Sequence, residues 1–311
     1  MKIFNLSHFS SGGKLAIFLI FVLVSTIIFS ILGVLFGYLF MGISPLQIAS
    51  MMSNLENVDT INYLKLQQVF QSIGMFIFPP IMAYFIFRKD KEDYLEIKKI
   101  KSYSFLIRAA ILMLVAIPFI NFLAQVNQAM ILPDALSSFA EWMKQKEADA
   151  AKLTEVFLQA DHVYTLLINI FVVGLLPALG EEMLFRGVLQ KIFIQMTSNV
   201  HWAIWITGFV FAAVHMQFYT FLPRFMMGVL FGYLFVWSGS LWITITAHFI
   251  NNSAAVIIHY LAQKNIIDTD LDKVGASNTD YLLLISSLIL FSVIVYYFWK
   301  NRLVHNIGIR T

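Results

Sequence analysis

The chain has 311 residues, of which 59% are hydrophobic and 13% charged, with no cysteine and a formal net charge of +3. Soluble domains carry about 25% charged residues, so this composition excludes an ordinary soluble globule. The missing cysteines exclude disulfides, thiolate nucleophiles and sulfur-ligated zinc, and the modest, unclustered basic charge predicts no nucleic-acid partner.

The N-terminal apolar run Leu15–Phe40 is too long for a signal-peptide core and has no small-residue cleavage pattern after it, so it reads as a retained first span. A membrane helix needs about 20 mainly apolar residues. In chain order the next candidates are Val69–Phe87, Phe105–Leu123, Val163–Leu179, Trp202–Phe218, Leu222–Trp237, Leu241–Leu261 and Tyr281–Trp299. The expected fold is therefore all-α: a polytopic integral membrane protein of about eight transmembrane helices with a polar intramembrane site. Val163–Met196 reads as one long helix interrupted near Pro177 and Gly180, because proline removes a helical hydrogen bond. The connection Gln125–His162 is long, and Leu136–Leu158 within it has an amphipathic helical pattern. It suits either a helix lying along the outer membrane surface or a solvated helical hairpin.

Orientation follows from lysine and arginine placement. Arg88, Lys89, Lys91, Lys98, Lys99, Lys101 and Arg108 crowd one connection, Lys2 and Lys14 the N-terminus, and Lys300, Arg302 and Arg310 the tail. The connections Gln125–His162 and Ala262–Asp280 are acidic. Eight spans then put both termini in the cytoplasm, in a plasma or inner membrane. Three regions are expected: residues 1–162, N-terminal spans with the amphipathic connection; 163–262, a helical core holding the polar site; and 263–311, an outer loop, the last span and the tail.

From Val163 to Tyr260 only Glu181, Glu182, Arg186, Lys191 and Arg224 are formally charged. A charge at mid-bilayer costs at least about 2.5–3.5 kcal/mol, so such groups face a cavity and a partner. Glu182 and Arg186 have the i,i+4 order that favours a pair on one helix, and a structural ion pair is the preferred reading of them. Glu181 points about 100° away, free to face something else. The turn near Ser198 is 17 residues from Glu181 and 17 from His215, which puts both about 25 Å along antiparallel helices. His248 and Asn252, four apart on one face, lie only about 13–20 Å from the turn at Gly239. That mismatch in depth needs helix tilt or turns at different heights. Gly228 and Gly232 have the small-xxx-small spacing that permits close helix contact. Lys191 and Arg224 read as snorkelling or end-anchoring residues.

These residues stand as Glu181-Glu182-x-x-x-Arg186, Phe211-x-x-x-His215 and His248-x-x-x-Asn252, in order on successive apolar segments. In this the chain resembles the CAAX-processing and bacteriocin-processing (CPBP) intramembrane proteases, over about Leu175–Ser253. The resemblance implies peptide-bond hydrolysis in or near the membrane. Its substrate would be a peptide or protein at the bilayer, prenylated in the CAAX-type case. On that reading Glu181 activates water, since burial raises a glutamate toward the working pH. His215 shares or relays the proton, and His248 and Asn252 donate to the oxyanion. Glu182, Arg186 and Phe211 support them. No cofactor is favoured; the alternative is a zinc ion held by His215, His248 and Glu181, though no His-Glu-x-x-His string occurs. Two rivals remain: a non-catalytic binding or bacteriocin-immunity protein, and a transporter, which the crowding of polar residues into one half disfavours.

Overall fold

The computed structural model describes residues 6–52, 55, 57–89, 93–97, 100, 103–267, 274–275 and 280–303. Lys2, Lys91, Lys98, Lys99, Lys101, His305, Arg310 and much of Ala262–Asp280 lie outside them. The described residues form helices and turns without a strand. In chain order the helices are α1 (Ser11–Met41), α2 (Ile48–Met52), α3 (Val58–Phe87), α4 (Tyr103–Gln128), α5 (Ser137–Leu158), α6 (Val163–Thr197), α7 (Val200–Ala213), α8 (Phe221–Ser238), α9 (Leu241–Gln263) and α10 (Tyr281–Lys300).

Seven of these, α1, α3, α4, α6, α8, α9 and α10, are long and apolar enough to cross a bilayer. The eighth expected span is α7, which stops at Ala213 rather than continuing to Phe218. Leu19, Ile20, Leu23, Ile27 and Ile31 of α1 and Leu282, Ile289 and Val293 of α10 are all at least 45% exposed. Apolar faces that long belong against lipid, and the protein is an integral membrane protein.

The first and last described residues sit at one end of the bundle. Leu6 N donates to Ile86 O at the close of α3, and Leu303 N donates to Trp237 O at the close of α8. The segment Tyr94–Ile97 is at that same end: Leu241 N donates to Glu96 O, Trp242 Nε1 to Ile97 O and Lys191 Nζ to Tyr94 O. Lys191, expected to snorkel or to anchor a helix end, is 6% exposed and lies 3.5 Å from Glu96.

Local sequence explains the tight turns. Ser198 takes the left-handed conformation that closes α6, and the Asn199 side chain accepts from His201 N and Trp202 N to open α7. Gly239 closes α8 with φ 59°, where glycine carries no Cβ penalty. The amphipathic connection is one helix, α5, preceded by a short 3₁₀ turn, not a hairpin.

The core of the second half depends on small residues. A Cβ on Gly228 would lie 2.9 Å from Gly208 Cα, so α7 and α8 touch backbone to backbone. A Cβ on Gly232 would meet the side chains of Ile204 and Gln190, a close packing that the small-xxx-small spacing predicts.

The long helix α6 is continuous, without the break expected near Pro177 and Gly180. Its geometry widens to π-helical at Ile170–Leu175 and again at Met183–Leu189, with seven α-helical residues between them. Segments of this kind occur often at functional sites. Pro177 has no N–H for the carbonyl of Val173 four residues back, and Asn252 Nδ2 donates to that carbonyl at 3.2 Å.

Candidate active site

The charged string of α6 falls at the junction between its α-helical stretch and the second π-helical one, and every residue from Gly180 to Lys191 is buried. Arg186, fully buried, donates from Nη1 to Glu182 Oε1 at 2.7 Å and from Nη2 to Gly228 O at 2.8 Å. Its guanidinium carbon lies 4.9 Å from the Phe211 ring centroid and 5.3 Å from that of Phe231, a cation–π setting suited to a desolvated arginine. The close approach of α8 at Gly228 is what brings that carbonyl within reach.

Glu182 holds more than its own-helix partner. Its Oε1 also lies 2.9 Å from His248 Nδ1. A carboxylate oxygen accepts, so Nδ1 carries the proton and Nε2 is the other working nitrogen. His248 Nε2 faces Glu181 Oε2 at 3.9 Å. The imidazole is stacked on Phe231, with ring centroids 5.3 Å apart, and meets Phe211 edge-on. Position, tautomer and ring plane of His248 are thus fixed by Glu182, Phe211 and Phe231. Glu181 Oε2 is buried and has no hydrogen-bond partner among the described residues.

His215 lies beyond the end of α7, in a turn where Met216 adopts φ 53°. His215 Nδ1 lies 2.7 Å from Phe211 O. A carbonyl can only accept, so the proton is on Nδ1 and Nε2 is left for other work. No hydrogen bond or ion pair among the described residues joins His215 to Glu181; the imidazole beside Glu181 belongs to His248. The Phe211 ring, 5.1 Å from that of His215, separates it from Arg186.

The depth mismatch between the turns at Ser198 and Gly239 has a structural answer. A Cβ on Gly187 would lie 2.9 Å from Leu95 Cδ2 and 3.8 Å from Leu241 Cδ2. The start of α9 is therefore level with Gly187, not with the end of α6. Seven residues on, at about 1.5 Å each, His248 comes level with the glutamates. The buried Tyr94–Leu95 stretch lies next to the start of α9, with Leu95 against Gly187 and Leu241 N donating to Glu96 O.

Asn252, one turn beyond His248, has one amide hydrogen committed to Val173 O. Its Oδ1 accepts from Asn251 Nδ2 at 3.2 Å. Among the described residues no three His, Cys, Asp or Glu side chains are disposed to hold a metal ion. His248 Nδ1 is occupied by Glu182 and His215 Nδ1 by a carbonyl, which leaves Nε2 as the open nitrogen of each imidazole.

Sequence reasoning missed Phe231, the Gly228 carbonyl and the second duty of Glu182. The Gly228–Gly232 spacing pointed to a close helix, but nothing in it marked which carbonyl would be used.

Comparison with known proteins fits this geometry. Residues 163–254 match the family model described as Rce1-like, type II CAAX prenyl endopeptidase, which takes in α6, α7, α8 and most of α9. The uncharacterized protein YpbD of Bacillus subtilis (strain 168) is 37% identical over 86 residues, a match covering 26% of this chain and 41% of that protein. The matched region is thus less than half the length of that relative. No solved structure matches.

Proposed function

We propose, from the premise that residues 163–254 are an Rce1-like segment, that the protein is an intramembrane endopeptidase in which Glu181 activates water against a peptide bond. The observation carrying this reading is a buried carboxylate oxygen, Glu181 Oε2, without a hydrogen bond and 3.9 Å from His248 Nε2. That separation is too long for a direct hydrogen bond and suits one bridging water. A water there has a base on one side and an imidazole on the other.

The roles then divide by geometry. Glu181 takes the water proton as it attacks the carbonyl carbon. His248, held through Nδ1 by Glu182, donates to the reacting oxygen once its Nε2 has also been protonated, and the uncommitted amide hydrogen of Asn252 is a second donor. Such donors are worth about 2.7–4 kcal/mol each when removed. The proton taken up by Glu181 then passes by way of His215 Nε2 to the leaving amine as the C–N bond breaks. Arg186 neutralises Glu182, so that Glu181 alone retains a working charge.

The substrate is a peptide segment at the bilayer, prenylated if the CAAX-type likeness extends to specificity. The basic connection around Arg88 and both chain ends face the cytoplasm on this reading, and α5 lies on the outer side.

The test is hydrolysis of prenylated and unprenylated peptides by the purified full chain, with and without chelator. Loss of cleavage in Glu181→Gln and His248→Ala, with no effect of chelator, is expected. Full activity in Glu181→Gln sinks the mechanism, and loss on chelation sinks its metal-free form.

A further inference from the structure

Two polar side chains from outside the matched segment 163–254 reach the connection between α7 and α8. Asn127, near the end of α4 and 6% exposed, donates from Nδ2 to Phe218 O at 3.0 Å and accepts at Oδ1 from Leu222 N at 2.6 Å. Glu147, half-buried on α5, accepts at Oε2 from Tyr219 N at 3.3 Å and at Oε1 from Thr220 Oγ1 at 3.2 Å. Thr220 Oγ1 accepts in turn from Arg224 Nη1. The Phe218 ring packs on Trp142 and Phe139 of α5, with centroids 5.3 and 6.0 Å away.

What these contacts hold is the turn that carries His215. Phe218 follows His215 by three positions, and between them Met216 adopts φ 53°. A left-handed conformation is unfavourable for a residue with a Cβ and persists where its surroundings impose it. Met216 is 50% exposed, so packing of its own side chain does not impose it. The anchors are on either side. Before the turn, His215 N donates to Ala212 O and Met216 N to Ala213 O, which tie it to the end of α7. After it, Asn127 and Glu147 hold Phe218, Tyr219, Thr220 and Leu222. His215 Nδ1 is fixed on Phe211 O, so the place of Nε2 depends on where the turn sets the rest of the residue.

We infer that Asn127 and Glu147 are positioning residues, which act through the Met216 turn to set where His215 Nε2 hands on its proton. The inference rests on the proposed endopeptidase reading and adds to it two residues that the matched segment does not contain. Glu147 is not simply a cap for α8. Its partners Tyr219 N and Thr220 Oγ1 both precede Phe221, the first residue of that helix, and the free N–H of Leu222 in the first turn goes to Asn127. The two side chains together grip the strand of chain between the turn and the helix. Proton transfer requires donor and acceptor in hydrogen-bond reach, and a turn released on its far side can relax out of the left-handed conformation and carry the imidazole away. On this inference the amphipathic helix α5 is part of the reaction machinery, although it contributes no group that meets the substrate.

The experiment uses the full chain in lipid nanodiscs, as the natural protein, Glu147→Ala, Asn127→Ala and Lys146→Ala, the last an exposed position on the same helix. Carbethoxylation of His215 and His248 by diethyl pyrocarbonate is followed by mass spectrometry, and kcat and KM are measured on a cleaved peptide. In Glu147→Ala, His215 should be modified about threefold faster because its turn opens locally, while the rate at His248 stays the same. Its kcat should fall about ten- to hundredfold, the scale of a misplaced catalytic group, with KM unchanged. In a His215→Ala background the same substitution should lower kcat no further, because the two act through one group. Asn127→Ala should repeat the pattern, and if it does not fold, Glu147→Ala decides alone. Lys146→Ala should match the natural protein throughout. An unchanged His215 rate, a parallel rise at His248, an unchanged kcat, a further fall of equal size without His215, or the same effects from Lys146→Ala each overturns the proposal. A His215 response in a protein that cleaves no peptide would instead overturn the endopeptidase reading and leave the grip on the turn standing.

Discussion

Glu181 and Glu182 are neighbours in sequence with different surroundings. Glu182 accepts from Arg186 and His248, and breaking a buried pair by removing one partner costs about 3–5 kcal/mol. Arg186→Met should therefore lower stability by that order in detergent unfolding, and its effect on cleavage should track the loss of folded protein. Glu181→Gln is expected to unfold like the natural protein yet to lower kcat by about 10²–10⁴, the range of general base catalysis. If the two substitutions gave the same stability loss, the division between them would be wrong. Asn252 has two duties, an amide hydrogen on Val173 O and one left over. Asn252→Ala should cost about 0.6–1.7 kcal/mol of stability, as interhelical hydrogen bonds in membranes do, and additionally lower kcat. A stability loss with unchanged kcat would assign it to the helix contact alone. Much of this was legible from residue types and i,i+4 spacing: the Glu182–Arg186 pair follows from it directly. The bond from Glu182 to His248 was not, because it crosses 66 positions and depends on where α9 begins.

At the scale of helices, spacing by small residues decides which backbones meet. A side chain at Gly208 collides with Gly228 and Val229, with nearest atoms at 2.9 Å. Gly208→Val should push α7 from α8, draw the Gly228 carbonyl away from Arg186 and cost about 1–3 kcal/mol as overpacking. Thermal unfolding checks the cost, and a variant as stable as the natural protein would show that the contact is dispensable. The sequence located α1, α3, α4, α8, α9 and α10 through long apolar runs, because lipid exposure leaves a continuous signal. It overextended α7 by several residues. Val214–Phe218 carries His215 and Gln217 but no proline or glycine, and the left-handed turn is made by Met216. It also placed the irregularity of α6 at Pro177 and Gly180. The helix widens on both sides of that stretch instead, and no residue type announces such widening.

For the molecule as a whole, both described chain ends and the Tyr94–Ile97 segment lie at one end of the bundle, and α5 belongs to the other. The natural absence of cysteine makes a clean labelling test. Single cysteines at Lys89 and Lys300 should react with an impermeant thiol reagent only from the cytoplasmic side. One at Lys146 on α5 should react only from the outside. The opposite pattern would invert the proposed orientation. The shape of the charged helix also bears on how the chain is made. Because Arg186 is four residues after Glu182, that acid enters the bilayer already neutralised within its own segment. Glu181 does not: the imidazole beside it arrives 67 residues later, after two further helices. During synthesis α6 would therefore pass through a period with one uncompensated carboxylate, and a nascent chain stopped before Leu241 should be a target for membrane quality control that the finished protein escapes.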